Sequence, residues 1–250
     1  MFTPSKTAEQ FVFNITEIEI TESGNVIKGY KKGTALTDDG NKITANTFVY
    51  NKLKNILTAT GNVRFENNVE DLTIYSDKII YKKNEEKIFT IGNSKAVNNE
   101  ITITANNFLY NKKLNLLNAN QNVKIIDEIK KVIIFTDEID YYKNEEKIST
   151  SGYTKAIVED KYKFESKNVL YLRNDHSLSS LKKSTIMDTE INKYLLDEFE
   201  YDTKNSFLKG KNVKINTNIR SKKSDEYFFS EGFFDFKNKN FISKDTKIKV

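Results

Sequence analysis

Few side chains in this sequence are equipped for covalent chemistry, and those few are poorly placed for it. His176 is the sole histidine and lies in the turn-like run Arg173 to Ser177, and there is no cysteine. Zinc ligation and triad catalysis need converging His, Cys or Ser–His–carboxylate sets, so neither has material here. No Walker or dinucleotide-binding glycine pattern occurs. The carboxylate pairs Glu85-Glu86 and Glu145-Glu146 are each followed by a lysine, Lys87 and Lys147. That is the composition of a solvated turn, although carboxylates facing each other across a groove can cleave glycans. The residue types predict no catalytic site, no metal and no cofactor.

What recurs instead is apolar. Tyr50, Tyr81, Tyr110, Tyr141, Tyr171 and Tyr201 lie 29 to 31 residues apart, with Asp235 in the same slot of a more divergent seventh unit. Two positions before each slot stand Phe48, Ile79, Phe108, Ile139, Val169, Phe199 and Phe233. Seven before stand Ile43, Ile74, Ile103, Ile134, Phe164, Tyr194 and Phe228; seven after stand Leu57, Ile88, Leu117, Ile148, Leu178, Leu208 and Ile242. Burial of such groups is itself a chemistry. Each methylene removed from water contributes about 0.8 kcal/mol, so a fourteen-carbon chain gains about 10 kcal/mol in an apolar trough. The same ladders would equally fill a closed core. The tyrosines read as strand ends, with the ring on a wall and the hydroxyl toward solvent.

These rungs are positioned by an internal repeat. Ile43–Val63 recurs sixty residues later as Ile103–Val123, identical at thirteen of 21 positions, and Tyr81–Val97 recurs as Tyr141–Ile157. Such periodicity marks a stacked array, here spanning one domain from residue 11 to 250. Each unit has a strand ending at the tyrosine, a short polar turn and a return strand, which is a hairpin. Seven hairpins plus an N-terminal pair give about sixteen strands. The window Thr189–Phe199 has some helical spacing, but it also fits the repeat. Residues 1–10 read as disordered.

One detail sets the architecture. In a strand, residues of equal parity share a face. The slots at minus seven and minus two have opposite parity. Between them stands a small-then-polar pair: Ala45-Asn46, Ser76-Asp77, Ala105-Asn106, Thr136-Asp137 and Ser166-Lys167. A bulge or bend there would turn both rungs inward. The fold class that follows is all-β, a repetitive antiparallel two-walled sheet with corners at these pairs. Such a stack leaves an edge strand at each end, open to strand addition. At the N-terminal end that edge carries Phe11, Phe13, Ile15, Ile18 and Ile20.

Composition narrows the function classes further. The net charge is +5 and the pI about 8.9, yet only Arg64, Arg173 and Arg220 are arginine. Arginine supplies the fork that reads bases and phosphates, so nucleic acid is not the expected partner. No run approaches the roughly 18 apolar residues of a membrane-spanning helix. The N-terminal MFTPSKTAEQ lacks the apolar stretch of a secretory signal, so the chain is either cytoplasmic or preceded by a signal outside it. It stops in mid-pattern at Val250, as a fragment of a longer protein would.

The repeat Ile-x-Ala-Asn-x-Phe-x-Tyr is carried by Ile43, Ala45, Asn46, Phe48 and Tyr50, and by Ile103, Ala105, Asn106, Phe108 and Tyr110. It continues as Ala59, Gly61, Asn62 and Val63, and as Ala119, Asn122 and Val123. This resembles the lipopolysaccharide-transport β-jellyroll proteins, the OstA-like or organic-solvent-tolerance family. Gln121 replaces a glycine of the pattern, and Asn46 and Asn106 stand where the family often has aspartate. In length and repeat number the chain is similar to the N-terminal periplasmic domain of the LptD-type outer-membrane assembly proteins. The small periplasmic bridge protein shares the fold family.

The resemblance implies a V-shaped jellyroll that holds lipopolysaccharide acyl chains inside. Its N-terminal edge would dock onto the periplasmic bridge protein. The parent protein would add an outer-membrane barrel with its lipoprotein plug, giving a periplasmic address at the outer membrane. The side chains expected to face the lipid are Phe48, Leu57, Ile79, Ile88, Phe108, Leu117, Ile139, Ile148 and Val169. The residues leave two other readings open: a structural or adhesive β-solenoid with a closed core, and a glycan-cleaving β-helix.

Overall fold

Alternating β-branched or aromatic residues with polar ones produce strand after strand, as half-buried pleats require. A computed structural model describes residues 11–98, 100–217, 219 and 225–249. The disordered start read for residues 1–10 lies outside them. Every pairing among the described strands is antiparallel. The described residues form 23 strand segments, but seven neighbouring pairs of segments are halves of one strand interrupted at a corner. Joined across those corners they make the sixteen long strands expected. The window Thr189–Phe199 holds a turn and the strand Lys193–Leu196, so the repeat prevails over the helical spacing. No helix among the described residues is long and apolar enough to cross a membrane, which says nothing of strands.

The chain divides into two compact units, Met1–Asn115 and Leu116–Val250. In the first, one wall comprises the opening half of Val12–Thr21, the end of Val26–Leu36, Asn41–Ala45, the end of Ile56–Asn67, the start of Leu72–Lys82, Ser94–Val97 and Ile101–Ala105. The other wall takes the remaining halves, with Thr47–Asn51, Lys87–Ile91 and Asn107–Asn111, in the same order. The second unit repeats the plan from Leu116–Asp127 through Lys247–Lys249. One of its tight hairpin turns is a single 3-10 turn closed by left-handed Glu146, and in the next the left-handed residue is His176, whose N–H donates to the Arg173 carbonyl.

The parity switch is present. Ile43 and Ala45 are buried on one side of Asn46, and Phe48 and Tyr50 are buried on the other, so both rungs of the hairpin face inward. The same change of parity separates Ile74 and Ser76 from Ile79 and Tyr81. The backbone device that accomplishes it sits on the return strands. Pairing skips from Thr60↔Lys78 to Val63↔Ser76, which leaves Gly61 and Asn62 opposite the single residue Asp77. Both have left-handed φ values, 79° and 48°. Gly92-Asn93, Gln121-Asn122 and Gly152 continue this column of left-handed residues at about thirty-residue spacing, and Asn212 resumes it sixty residues further on. Glycine and asparagine tolerate that region best, which accounts for their recurrence.

The seventh unit corrects the expected register by one residue. Leu208 pairs with Phe234 and Phe234 with Phe241, so the slot assigned to Asp235 belongs to Phe234. Phe233 and Ile242, expected inward, are exposed, while Phe234 is buried. Gly210 and Gly232 pair directly here, the inward residue stands one position earlier than expected, and the Phe234 ring lies where a Cβ on Gly232 would be.

Candidate functional site

The candidate site is the apolar interior between the two walls of each unit. All nine side chains expected to face lipid are inside and no more than 3% exposed: Phe48, Leu57, Ile79, Ile88, Phe108, Leu117, Ile139, Ile148 and Val169. Ring contacts run from wall to wall. Phe65 meets Tyr81 at 6.4 Å between centroids, Phe164 meets Phe199 at 5.5 Å, and Tyr194 meets Phe234 at 5.5 Å. The walls of each unit are thus closed against one another along these rungs.

At the corner the interior is lined by small hydroxyls. Thr90 and Ser94 share a hydrogen bond, as do Thr150 and Thr154 and Ser166 and Ser184, at 2.5, 2.6 and 2.8 Å. The Ser76 hydroxyl donates to the Gly92 carbonyl at 2.8 Å, and the backbone N–H groups of Phe108 and Val169 donate to Thr90 and Thr150. Bending a strand frees backbone groups from the ladder, and buried backbone groups must find partners. These hydroxyls supply them. Of this row, the small-then-polar pairs mark only Ser76 and Ser166 in the sequence. Thr90, Thr150 and Ser180, on the return strands, carried no such signal.

At the opposite side, where each hairpin turns, the tyrosines behave differently from the expectation. Their hydroxyls are not in solvent. Tyr50, Tyr81, Tyr110 and Tyr141 are buried, and each donates to the side chain five residues on: Asn55 at 3.0 Å, Glu86 at 3.2 Å, Asn115 at 2.8 Å and Glu146 at 3.4 Å. That fifth residue is the left-handed residue of the turn in every case. The recurring Asn or Glu at that spacing was the available sequence signal. Burial raises the pKa values of Tyr50, Tyr81, Tyr110, Tyr171, Tyr194 and Tyr201 above the ordinary phenol value, and for all but Tyr50 the rise is large.

Ion pairs close this mouth from wall to wall. In the first unit the Asp39 turn ends one wall, and the Lys83 and Lys112 turns end the other. Lys83 Nζ lies 2.9 Å from Asp39, Lys112 also binds Asp39, and Lys112 lies 2.9 Å from Glu86. Burial would raise the Asp39 carboxyl, but hydrogen bonds from Lys112, Thr37 and Lys83 outweigh it and hold the group far below the carboxylate range. In the second unit Asp127 is fully buried and accepts from Arg173 Nε at 2.7 Å and from the Tyr171 hydroxyl at 2.9 Å. Arg173 also pairs with Glu146, and Lys239 with Glu190. Lys130 Nζ lies 3.5 Å from His176 Nε2, so this histidine is part of the rim and not merely solvated.

The carboxylate pairs considered for glycan cleavage are engaged in this framework. Glu86 and Glu146 hold rim cations, and Glu85 pairs with Lys82 and Lys87. Among the described residues no cluster of His, Cys, Asp and Glu could hold a metal ion.

The expected docking edge behaves as two halves. Val12–Thr21 pairs on one side only among the described residues, with Val26–Leu36. Phe11 is buried against Tyr50 and Tyr81, and Phe13 is half-buried against Phe48 and Tyr50, so these two rings cap the interior and do not project from the edge. Ile15 is half-buried, whereas Ile18 and Ile20 are exposed.

The OstA-like protein family matches over residues 12–167. The chain belongs to the OstA-like family. No curated protein matches it at a significant level. Fifteen solved chains do. One is the crystal structure of LptH, the LptA homologous periplasmic component of the conserved lipopolysaccharide transport device from Pseudomonas aeruginosa. It is 16% identical, with a TM-score of 0.44, over 47% of this chain and 94% of that one. The OstA-like match ends inside the second unit, and the inward rungs continue past it through Leu178, Phe199, Tyr201 and Leu208.

Proposed function

We propose that this OstA-like chain is a lipopolysaccharide-transport module that shields acyl chains between its two walls. The observation that carries the reading is the reiterated parity switch. It turns two apolar rungs per hairpin to the same interior, which a simple flat sheet would not do. A lipid with several acyl chains needs a continuous apolar lining, and each hairpin supplies the same rungs again. The walls touch in the present structure, so uptake requires them to part. The hydrogen-bonded ladders run within each wall, continuous strands join the walls at the corner, and elsewhere the walls meet through side chains at the rungs and rim. Parting them leaves the ladders intact.

The exposed edge at Ile18 and Ile20 is the proposed dock for a periplasmic bridge protein, by strand addition. In this reading the protein works in the periplasm, and relatives of the LptD type supply an outer-membrane barrel and its lipoprotein plug. No residue set is assigned to catalysis.

The test is a photo-crosslinking residue placed at Phe48, Leu57, Ile79, Ile88, Phe108, Leu117, Ile139, Ile148 or Val169, and at the outward Val49 and Ile91. Lipopolysaccharide captured at the first set and not the second supports transport. Capture only at Val49 and Ile91 refutes the interior as the site. The complete burial of the nine rungs favours one other reading, a structural jellyroll whose core never opens. It forecasts no capture anywhere.

A further inference from the structure

The outer face of one wall carries a pattern that neither the interior nor the rim uses. Tyr75 stands between buried Ile74 and Ser76, so its ring points out of the wall that holds them. Its cross-strand neighbours are Arg64 on one side and Lys95 on the other. In the second unit Phe135 holds the same place between Lys124 and Lys155. Phe228, beside buried Phe229, holds it between Lys214 and Lys247. Each ring is bracketed by cations on both adjacent strands. One cation of each triplet also leans over the ring: Arg64 at 5.8 Å, Lys124 at 5.7 Å and Lys214 at 5.2 Å from the centroid.

The first two triplets are copies across the sixty-residue repeat, although neighbouring outward positions differ between the copies, Glu66 against Ile126 and Lys78 against Glu138. The third lies where the repeat has drifted, and the ladder restores the same grouping there. Arg64 pairs with Glu66 at 2.9 Å and Lys214 with Glu226 at 2.6 Å. Lys95, Lys124, Lys155 and Lys247 have no ion-pair partner among the described residues. Within the second unit the ladder joins its two triplets through Glu165, Thr185 and Leu195. Glu165 is the single carboxylate of that row, and Tyr153 hydrogen-bonds it. Strands stand about 4.8 Å apart, so the cations of a triplet are about 10 Å apart with the ring midway, and the row from Lys124 to Lys247 runs about 38 Å across the strands.

We propose that the outer row of each unit binds a lipid-free, linear acidic polysaccharide laid across the strands, with carboxylates on the flanking cations and a sugar ring on the aromatic between them. A pyranose presents a face of C–H groups that packs flat on an aromatic ring, and an acidic sugar carries its carboxylate at the edge of that face. Ammonium groups meet carboxylates as flexible point charges, in charge-assisted hydrogen bonds. Nucleic acid fits less well. Its successive bases stack on neighbouring rings, and here cations separate the rings; only one of the six cations is arginine. A bilayer surface calls for apolar groups that reach into it, and Tyr75 and Phe135 lie nearly flush with the sheet, 39% and 38% exposed. This surface is opposite the apolar interior, and its binding does not depend on the interior admitting lipid.

The probe is an oligogalacturonate, titrated calorimetrically onto the whole chain at low salt. The same oligomer with its carboxyls methyl-esterified, a single-stranded oligodeoxynucleotide and phosphatidylglycerol vesicles are parallel arms. The expected result is saturable binding of the acid form and none of the ester. Phe135→Leu/Phe228→Leu, which keeps charge and apolar bulk, should weaken it about tenfold, and so should Lys124→Gln/Lys155→Gln. Lys52→Gln/Lys54→Gln, in an exposed turn of the first unit, removes the same charge and should bind like wild type. Undiminished binding in the leucine variant means charge attraction without stacking and overturns the assignment. So does an equal loss in the Lys52/Lys54 variant. Tighter binding of the oligonucleotide or the vesicles, lost in the row variants, gives the row to that partner and overturns the polysaccharide. Lipid capture at the rungs with no oligogalacturonate binding removes only the outer row, whereas oligogalacturonate binding with no rung capture leaves the row and removes the transport reading.

Discussion

Truncating Leu57 separates a lipid-receiving interior from a permanently filled one. Its side chain is fully buried and sits between the cross-strand partners Tyr50 and Tyr81, themselves fixed at their hydroxyls by Asn55 and Glu86. Leu57→Ala removes three carbons from a site whose neighbours are pinned by hydrogen bonds, so collapse is limited. The cost is the lost transfer energy, about 0.8 kcal/mol per carbon, plus the cavity, for a total of about 2–5 kcal/mol. The assay is urea unfolding followed by far-ultraviolet circular dichroism, since the chain contains no tryptophan. A ligand that binds only the folded state, at a hundredfold its dissociation constant, adds about 2.7 kcal/mol. With an acylated disaccharide lipid present, the variant should recover at least as much stability as wild type gains, because the new space accepts an acyl carbon. Val49→Ala, on the exposed face of the neighbouring strand, should change stability by no more than about 0.5 kcal/mol. If Leu57→Ala costs less than about 1 kcal/mol, the rung is not packed as described. If it costs several and lipid protects neither protein, the interior is a closed core and transport through it is refuted.

Arg173→Met strips the rim cation from Asp127, whose side chain is wholly buried, and should destabilise by about 3–5 kcal/mol, because it leaves an uncompensated buried charge; an Asp127→Asn/Arg173→Met double variant that recovers none of that loss would show the pair is not the cause. Alkaline pH should unfold the protein steeply. Phenols ordinarily ionise near pH 10, and burial raises six of these tyrosines in the folded state. The unfolded chain then loses those protons first. Their stabilisation is complete below about pH 10 and drains away as pH rises toward the folded values, at about 1.4 kcal/mol per pH unit for each tyrosine. Tyrosinate absorbance should rise together with loss of strand signal, and ordinary titration of all six in a still-folded protein would contradict the buried ladder.

Much of the fold was legible because a repeat multiplies weak signals. The opposite parity of Ile43 and Phe48 is ambiguous in one hairpin, but not when Ile74 with Ile79 and Ile103 with Phe108 repeat it. The same averaging fails where the repeat degrades. In the seventh unit Phe233 and Phe234 are adjacent and chemically alike, so composition cannot choose between them; the glycine pairing of Gly210 with Gly232 decides it. The tyrosine hydroxyls were misplaced because single-residue reasoning treats a strand-end tyrosine as amphipathic. Its partner five residues on, Asn55 or Glu86, is visible only once the turn is known to double back. The corner was located on the strand bearing Ala45-Asn46, whereas the left-handed residues that make it lie on the return strand. Gly61 meets the Asn46 side chain so closely that an added Cβ would approach to 2.7 Å. Close approach between strands distant in sequence leaves no local pattern.

The two margins of each unit are held by different forces, and that difference bears on how a lipid could enter. At the corner, buried hydroxyls such as Thr150 and Thr154 bond to each other and to the backbone, so the walls are hinged where separation would strand polar groups. At the mouth, the links are ion pairs between turns, Asp39 with Lys83 and Lys112 and Glu190 with Lys239, whose members regain water when they separate. Between the margins lie apolar rungs that an acyl chain replaces in kind. Exchanging one apolar neighbour for another forfeits little of the burial energy, whereas opening the same gap to water would lose all of it. A unit built this way resists opening in water and yields to a lipid, and it yields from the mouth, because only there is each broken contact restored by solvent.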